Sequence, residues 1–397
     1  MSLEKAEMVP STNAEVFPGK LGIVQRVIPP YRVPLFDALA DRCAGGLEII
    51  AGEPVQGESI RHSPELLRRA RVVPAGNLYL PPGSATYVCF QRGGLGWLRA
   101  SQPDLLVIEA NPRILSSPRL ASMARGYGIP VVGWGLGALA RSAPRFIERT
   151  RSGLLRRFYR QFDGFFAYST KAAADYRSGG VPEERVVVVG NAVTGDVAAE
   201  IRREIARDPY AIARWRAELG LGDFGVVIFV GRLIPSKRVD DLILACSRLP
   251  AAVQLLIIGD GAHRPALERL ASSVLTTTRF LGERHGRELG KCLAVSDLLV
   301  LPGPGGLAVQ EAMLYGLPVI VGSGDGTQVD LVEEGQNGYL VPDGDIDTLT
   351  SRIWRVMSNE DIRTALAVES SRRAAEWSLD SVVSRFINGS RSAISWS

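Results

Sequence analysis

Residues 297–321, DLLVLPGPGGLAVQEAMLYGLPVIV, decide the fold of this chain. Leu298 to Leu301 form an apolar run of strand length, Gly and Pro break it, a helix opens near Gly306, and a second apolar strand follows. A glycine-rich turn between strand and helix leaves free backbone N–H groups at the positive end of the helix dipole, where an anion can sit. Glu311 falls about one and a half turns into that helix. A carboxylate there can accept hydrogen bonds from a pair of sugar hydroxyls while the helix N-terminus holds phosphate. The same residues also suit a plain connection between two strands of a parallel sheet, with Glu311 solvated.

Working outward, the alternation continues in both directions. Towards the C-terminus, NGYLVPDGD closes a strand, and DTLTSRIWRVM and IRTALAVESSRRAAEW read as helices. Towards the N-terminus lie FGVVIFVGR, KRVDDLILACSRL, VQLLIIGDG, HRPALERLASS, TRFLG and RHGRELGKCLAVS, again strand and helix in turn. An earlier series runs through KLGIVQRV, YRVPLFDALADRC, LEIIAG, GLGWLRAS, DLLVIEA, SPRLASMARGYG, IPVVGWG, DGFFAYS, TKAAADYRSGG and RVVVVGNAV. Near-continuous apolar strands alternating with helices argue for parallel sheets covered on both faces. The expected division is a polar leader (1–19), a first Rossmann-like domain (20–195), a helical junction (196–222), a second Rossmann-like domain (223–375), and a C-terminal helix (376–397) crossing back to the first domain. Residues 52–90 read as irregular. Ligands of such sheets bind beyond the carboxyl ends of the strands, so two of them are expected to enclose a cleft.

With 397 residues, 46% of them hydrophobic, the chain can fill two cores. Its longest apolar runs are strand-sized, well below the roughly 20 residues of a membrane span. The opening residues lack a cationic start followed by an apolar core, so no secretory signal is expected. Cys43, Cys89, Cys246 and Cys292 form no CxxC pair, and His62, His263 and His285 have no metal spacing. A cytoplasmic, reducing location fits this usage. The net charge of +4 rests on 41 Arg and 5 Lys. That excess admits anionic substrates or an anionic membrane surface, and nothing suggests nucleic acid.

GRLIPSK (231–237) follows the strand VVIFV, which puts Arg232 at its carboxyl end and Lys237 just before a helix. An Arg fork and a Lys charge converging on the edge that carries the Gly305 turn suit a diphosphate. Asp343, Asp345 and Asp347 alternate before a helix and are expected to cap it rather than bind metal. The segment RFIERTRSGLLRRFYRQF (145–162) reads as a helix packing Phe146, Leu154, Leu155 and Phe158 on the sheet. Its alternative role is an electrostatic seat for anionic lipid or a lipid-linked acceptor, given seven Arg between Arg141 and Arg160.

GRLIPSK, LLIIGDGAHRPALERLA, FLG, GLAVQEAMLYGLPVIVG and EEGQNGYLV together resemble the nucleotide-sugar half of retaining glycosyltransferases of family 4, which have the GT-B fold. FFAYSTKAAADYRSGGVPEERVVVVGNAV and GKLGIVQRVIPPYRVPLFDALA are similar to first-domain segments of that family, the latter with a tyrosine-arginine pair. The resemblance implies that Arg232, Lys237 and Glu311 are catalytic, with Arg232 and Lys237 on the donor diphosphate and Glu311 on the ribose. It places Gly231, Gly261 and Gly303 at the donor, the backbone of Gly305, Gly306 and Leu307 against phosphates or sugar, and Leu281 and Gly282 near the base. Tyr31, Arg32, Glu109 and Gly135 are acceptor-side candidates. Preplaced cations and a helix N-terminus would stabilise the leaving diphosphate with neither metal nor cofactor.

Two departures accompany the resemblance. Family members carry a second glutamate where this chain has Gly303, and many carry a histidine after the strand IPVVGWG, where this chain has Leu136. Asp325 or Glu109 is a candidate substitute carboxylate. The expected activity is a hexosyltransferase-like reaction in polysaccharide or glycoconjugate biosynthesis. It would move a sugar from a nucleoside diphosphate to a sugar, lipid-linked or small-molecule acceptor. A GT-B nucleotide-sugar epimerase or hydrolase, or a catalytically silent nucleotide-sugar-binding subunit, are the alternatives.

Overall fold

The computed structural model describes residues 15–58, 60–81, 87–137, 153–322, 324 and 326–396. The first sheet contains β1 (Leu21–Val24), β2 (Leu47–Gly52), β3 (Arg71–Leu80) and β4 (Val88–Arg92). It continues with β5 (Leu105–Glu109), β6 (Val131–Gly135), β7 (Gly164–Ala167) and β8 (Val186–Val188), in the order β4-β3-β2-β1-β5-β6-β7-β8. Its helices include α1 (Val33–Asp41), α2 (Gly94–Ser101), α3 (Ser117–Gly126) and α4 (Thr170–Ser178).

Two helices, α5 (Asp196–Arg207) and α6 (Ala211–Glu218), lead into the second sheet. Its strands are β9 (Val226–Val230), β10 (Gln254–Ile258), β11 (Thr278–Gly282), β12 (Leu298–Leu301), β13 (Val319–Gly322) and β14 (Gly338–Val341), ordered β11-β10-β9-β12-β13-β14. Between them run α7 (Val239–Ser247), α8 (Arg264–Val274), α9 (Gly286–Ala294), α10 (Gly306–Leu314) and α11 (Thr327–Leu331). The chain ends in α12 (Ile346–Met357), α13 (Glu360–Glu376) and α14 (Leu379–Ala393).

The central strands are parallel because their side chains are apolar on both faces and helices cover both. Val227 of β9 lies level with Leu255 of β10 and Leu298 of β12, and all three are fully buried. The same core takes in Ile201, Ala211 and Trp215, so the helices of the junction segment are built into the second domain. Helix α14 instead packs on the first. Phe386 lies 5.3 Å from the Trp134 ring and 4.8 Å from Phe166, and Arg42 bonds Asp380 and Ser384. Capping follows chemistry: Asp345 accepts from Thr348 N at 2.9 Å and Ser169 from Ala172 N at 3.1 Å.

Two expectations need correction. Residues 52–90 are not irregular throughout, since β3 spans ten of them and pairs parallel with β2 and antiparallel with β4. RVVPAGNLYL holds Pro74 and Gly76 and buries no residue fully, so lateral pairing rather than an apolar pattern orders it. In the arginine-rich segment, residues 138–152 lie outside the described residues, Phe146 among them. Residues 153–159 are helical and bury Phe158, but Leu154 is 66% exposed instead of packed on the sheet. No helix of the described residues is long and apolar enough to cross a membrane.

Both sheets reverse their strand order, the first between β1 and β5, the second between β9 and β12. At such points the flanking loops diverge and leave a crevice. The two domains also touch directly. Asp330 of α11 accepts from Thr170 N at 2.7 Å, and Gln310 Nε2 donates to Asn191 O at 2.6 Å.

Candidate active site

The second crevice is built by backbone approaching backbone. Gly231 N donates to Ile258 O and Leu233 N to Asp260 O, which draws the loop after β9 against the loop after β10. Gly259 sits at φ 135°, and a Cβ there would fall 1.9 Å from Gly231 O, so only glycine fits. Gly261 lies in the same contact, and Gly259 N donates to Gly282 O at 2.8 Å, linking the β11 end that carries half-buried Leu281 and Gly282.

The loop 231–237 then reaches the turn after β12. Lys237 Nζ donates to Pro304 O, and a Cβ on Gly305 would lie 3.6 Å from that nitrogen. Gly303 is buried against the loop backbone: a Cβ there would meet Ser236 O at 2.4 Å and Lys237 Cα at 2.7 Å. Its carbonyl accepts from Gln328 Nε2 at 3.3 Å, and Gln328 is fully buried. Gly306 and Leu307 open α10, whose first N–H groups face this turn. Arg232 is exposed at the β9 end. Glu311 is half-buried on α10, and burial pushes its carboxyl up to about 7. Arg232, Lys237 and the glycine turn thus share one sheet edge, and Glu311 lies on the helix that leaves it. Asp325 lies outside the described residues.

At the first crevice, Tyr31, Arg32, Glu109 and Gly135 all line a single cavity of about 850 Å³, with Leu136 beside them. Glu109, at the end of β5, is half-buried and accepts from Arg26 N at 3.1 Å and Asn111 Nδ2 at 3.2 Å. Arg26 is held by Glu58 through two bonds of 2.7 and 2.9 Å. Arg32 bonds the Gln25 amide oxygen and the Tyr168 hydroxyl. Burial pushes the Tyr168 phenol above its ordinary range, so it stays protonated. One wall is apolar, formed by Leu154, Leu155 and Phe158. Sequence reasoning misses Gln25, Arg26, Trp134 and Tyr168 here and Gln328 in the second crevice. Position was the available signal for the first four, since each lies within two residues of the carboxyl end of an apolar strand.

The family described as "Glycosyl transferases group 1" matches residues 212–373, and "Glycosyl transferase 4-like domain" matches residues 35–192. A GDP-mannose-dependent alpha-mannosyltransferase of Mycobacterium tuberculosis is 31% identical over 292 residues, 70% of this chain and 71% of that protein. A GDP-mannose-dependent alpha-(1-6)-phosphatidylinositol monomannoside mannosyltransferase of Mycolicibacterium smegmatis is 28% identical over 72% of this chain and 71% of its own length. Among solved structures, Anabaena HepE in complex with UDP matches with a TM-score of 0.70 over 93% of this chain and 98% of that one, at 19% identity. Two Rossmann-like domains in this order have the GT-B fold, and the chain belongs to the group 1, family-4-type glycosyl transferases.

Proposed function

We propose that this protein transfers a mannosyl residue, with retention of anomeric configuration, from GDP-mannose to an acceptor seated in the first-domain cavity. The observation that carries the reading is the meeting of Lys237 with the Gly303–Gly306 turn at the reversal point between β9 and β12. Mannose and guanine come from the curated relatives, which use GDP-mannose.

In this reading Arg232 and Lys237 take the diphosphate from one side and the N-terminus of α10 from the other. As the glycosidic bond breaks, negative charge grows on the leaving oxygens while the sugar becomes oxocarbenium-like. Fixed cations and backbone dipoles stabilise that charge without reorganising. These groups carry the role that a metal has in other transferases. Glu311 accepts from the ribose hydroxyls, which favours its ionised form. Glu109, on the cavity side, faces the acceptor.

Calorimetric titration with GDP, UDP and their mannose and glucose esters tests the donor. GDP-mannose turnover with and without added acceptor then separates transfer from hydrolysis or epimerisation, and proton NMR of the product reads the anomer. Absence of any nucleotide binding, or turnover indifferent to acceptor, would sink the reading.

A further inference from the structure

The turn after β12 has a glycine on each side of Pro304, so nothing in its own side chains fixes which way its peptide groups face. That direction decides whether an anion is attracted or repelled. The first N–H groups of α10 have no partner inside the helix and suit an anion, whereas a carbonyl oxygen aimed into the same crevice opposes one. The peptide group between Gly303 and Pro304 matters most, because Pro304 brings no N–H. Turned over, it would add an oxygen to the crevice and offer no donor in return.

What holds this carbonyl is Gln328. Its Nε2 donates to Gly303 O at 3.3 Å, and because Gln328 is fully buried, the bond draws the oxygen into the protein and away from solvent. The amide cannot be reversed without setting its own oxygen against the carbonyl. Its place is fixed from two further sides. Gly324, at φ 49°, lies so close that a Cβ there would fall 2.0 Å from Nε2. Gly306 packs on the neighbouring Thr327, whose Oγ1 would lie 2.3 Å from a Cβ at 306. Helix α11 thus underlies both ends of the turn. Packing alone would be met by an apolar side chain of the same size, without the cost of burying an amide.

We propose that Gln328 is a positioning residue for the donor. It does not touch the ligand; by holding the Gly303 carbonyl inward it leaves the turn and the N-terminus of α10 with net positive character towards the diphosphate. The role rests on the reading of the second crevice as the diphosphate site.

The test is calorimetric titration of the full chain with GDP, pyrophosphate and guanosine, well below the melting temperature, in Gln328→Met and Gln328→Glu. Methionine keeps the reach of glutamine and removes the donor, while glutamate keeps the shape and puts an oxygen where the donor was. Affinity for GDP and pyrophosphate should fall about tenfold in Gln328→Met, roughly the worth of one hydrogen bond, and further in Gln328→Glu. Guanosine, which lacks the phosphates, should not distinguish the variants from wild type. Asp330→Ala, on the same helix but facing the first domain, should leave all three affinities unchanged. Undiminished GDP binding in Gln328→Met overturns the proposal, and so does an equal loss of GDP and guanosine, the mark of a merely structural residue. If Gln328→Met does not melt cooperatively, Gln328→Glu decides, and GDP binding there at wild-type strength overturns the role. Failure of the wild-type chain to bind GDP or pyrophosphate counts against the diphosphate site itself, so the two failures are distinguishable.

Discussion

Replacing Gly303 should damage the donor site rather than restore a lost contact. Read from sequence, glycine at the place of a family glutamate suggests an empty position that a side chain could fill. The structure gives the opposite reason. A Cβ at 303 would sit 2.4 Å from Ser236 O and 2.7 Å from Lys237 Cα, both backbone atoms that cannot rotate aside. On its other side the turn is tied to fully buried Gln328. Regaining ordinary contact requires the loop or the turn to move by about 1 Å in a close-packed setting. Overpacking of this kind costs about 1–3 kcal/mol, or roughly 3–10 °C in melting temperature for a domain of this size. The displaced segment carries Lys237, so GDP affinity should fall about tenfold or more, given that misplacement near 1 Å can cost up to about a hundredfold. Differential scanning calorimetry and GDP titration of Gly303→Ala and Gly303→Glu read both quantities. Wild-type melting and affinity in Gly303→Ala, or a gain of transfer rate in Gly303→Glu, would refute the steric argument.

Lys237→Ala should weaken GDP binding more than Arg232→Ala, because Lys237 also holds the Pro304 carbonyl and its loss loosens the turn; titration of both variants with GDP ranks them. Glu311 has a folded pKa of about 7 against an ordinary 4.5, so between those values the folded state holds the extra proton and stability falls as pH rises. The slope is at most about 1 kcal/mol per pH unit, and melting of Glu311→Gln across pH 4.5 to 8 should lack it. Phe386→Ala should cost about 3–5 kcal/mol by opening a cavity between α14 and the first sheet, read by urea unfolding. Asp330→Ala removes both bonds to Thr170, and small-angle scattering should show a larger radius of gyration with GDP affinity unchanged.

The strands that sequence shows best are those buried on both faces. VVIFV, LLII and LLVL have no polar side to interrupt them, so their apolar runs mark position and parallel pairing together. The edge strand β3 is the reverse case: Pro74, Gly76 and alternating exposure hide it, and its ten residues become a strand only because β2 and β4 lie beside it. Leu154 shows a related limit. Helical spacing placed it with Leu155 and Phe158, but a spacing rule says which residues share a face, not whether the sheet reaches far enough to cover all of them.

The placement of the candidate residues is legible wherever it depends on a strand end. Arg232 and Lys237 follow β9, the glycine turn follows β12, and a reversal of strand order between those two strands brings them to one edge. What remained hidden depends on side chains that meet only after both crevices form. Gln25 and Tyr168 stand far apart in the chain and share Arg32 between them, and Trp134 supplies the ring beneath it. No local pattern announces such a cluster, because each residue alone is an ordinary polar or aromatic strand terminus. The two crevices therefore differ in how they handle charge. In the second, the backbone of a glycine turn and a helix N-terminus supply partial positive charge beside half-buried Lys237. In the first, the half-buried Arg32 guanidinium is held by Gln25 and Tyr168 beside the Trp134 ring, so a ligand would meet a charge whose direction is already fixed by side chains rather than by backbone.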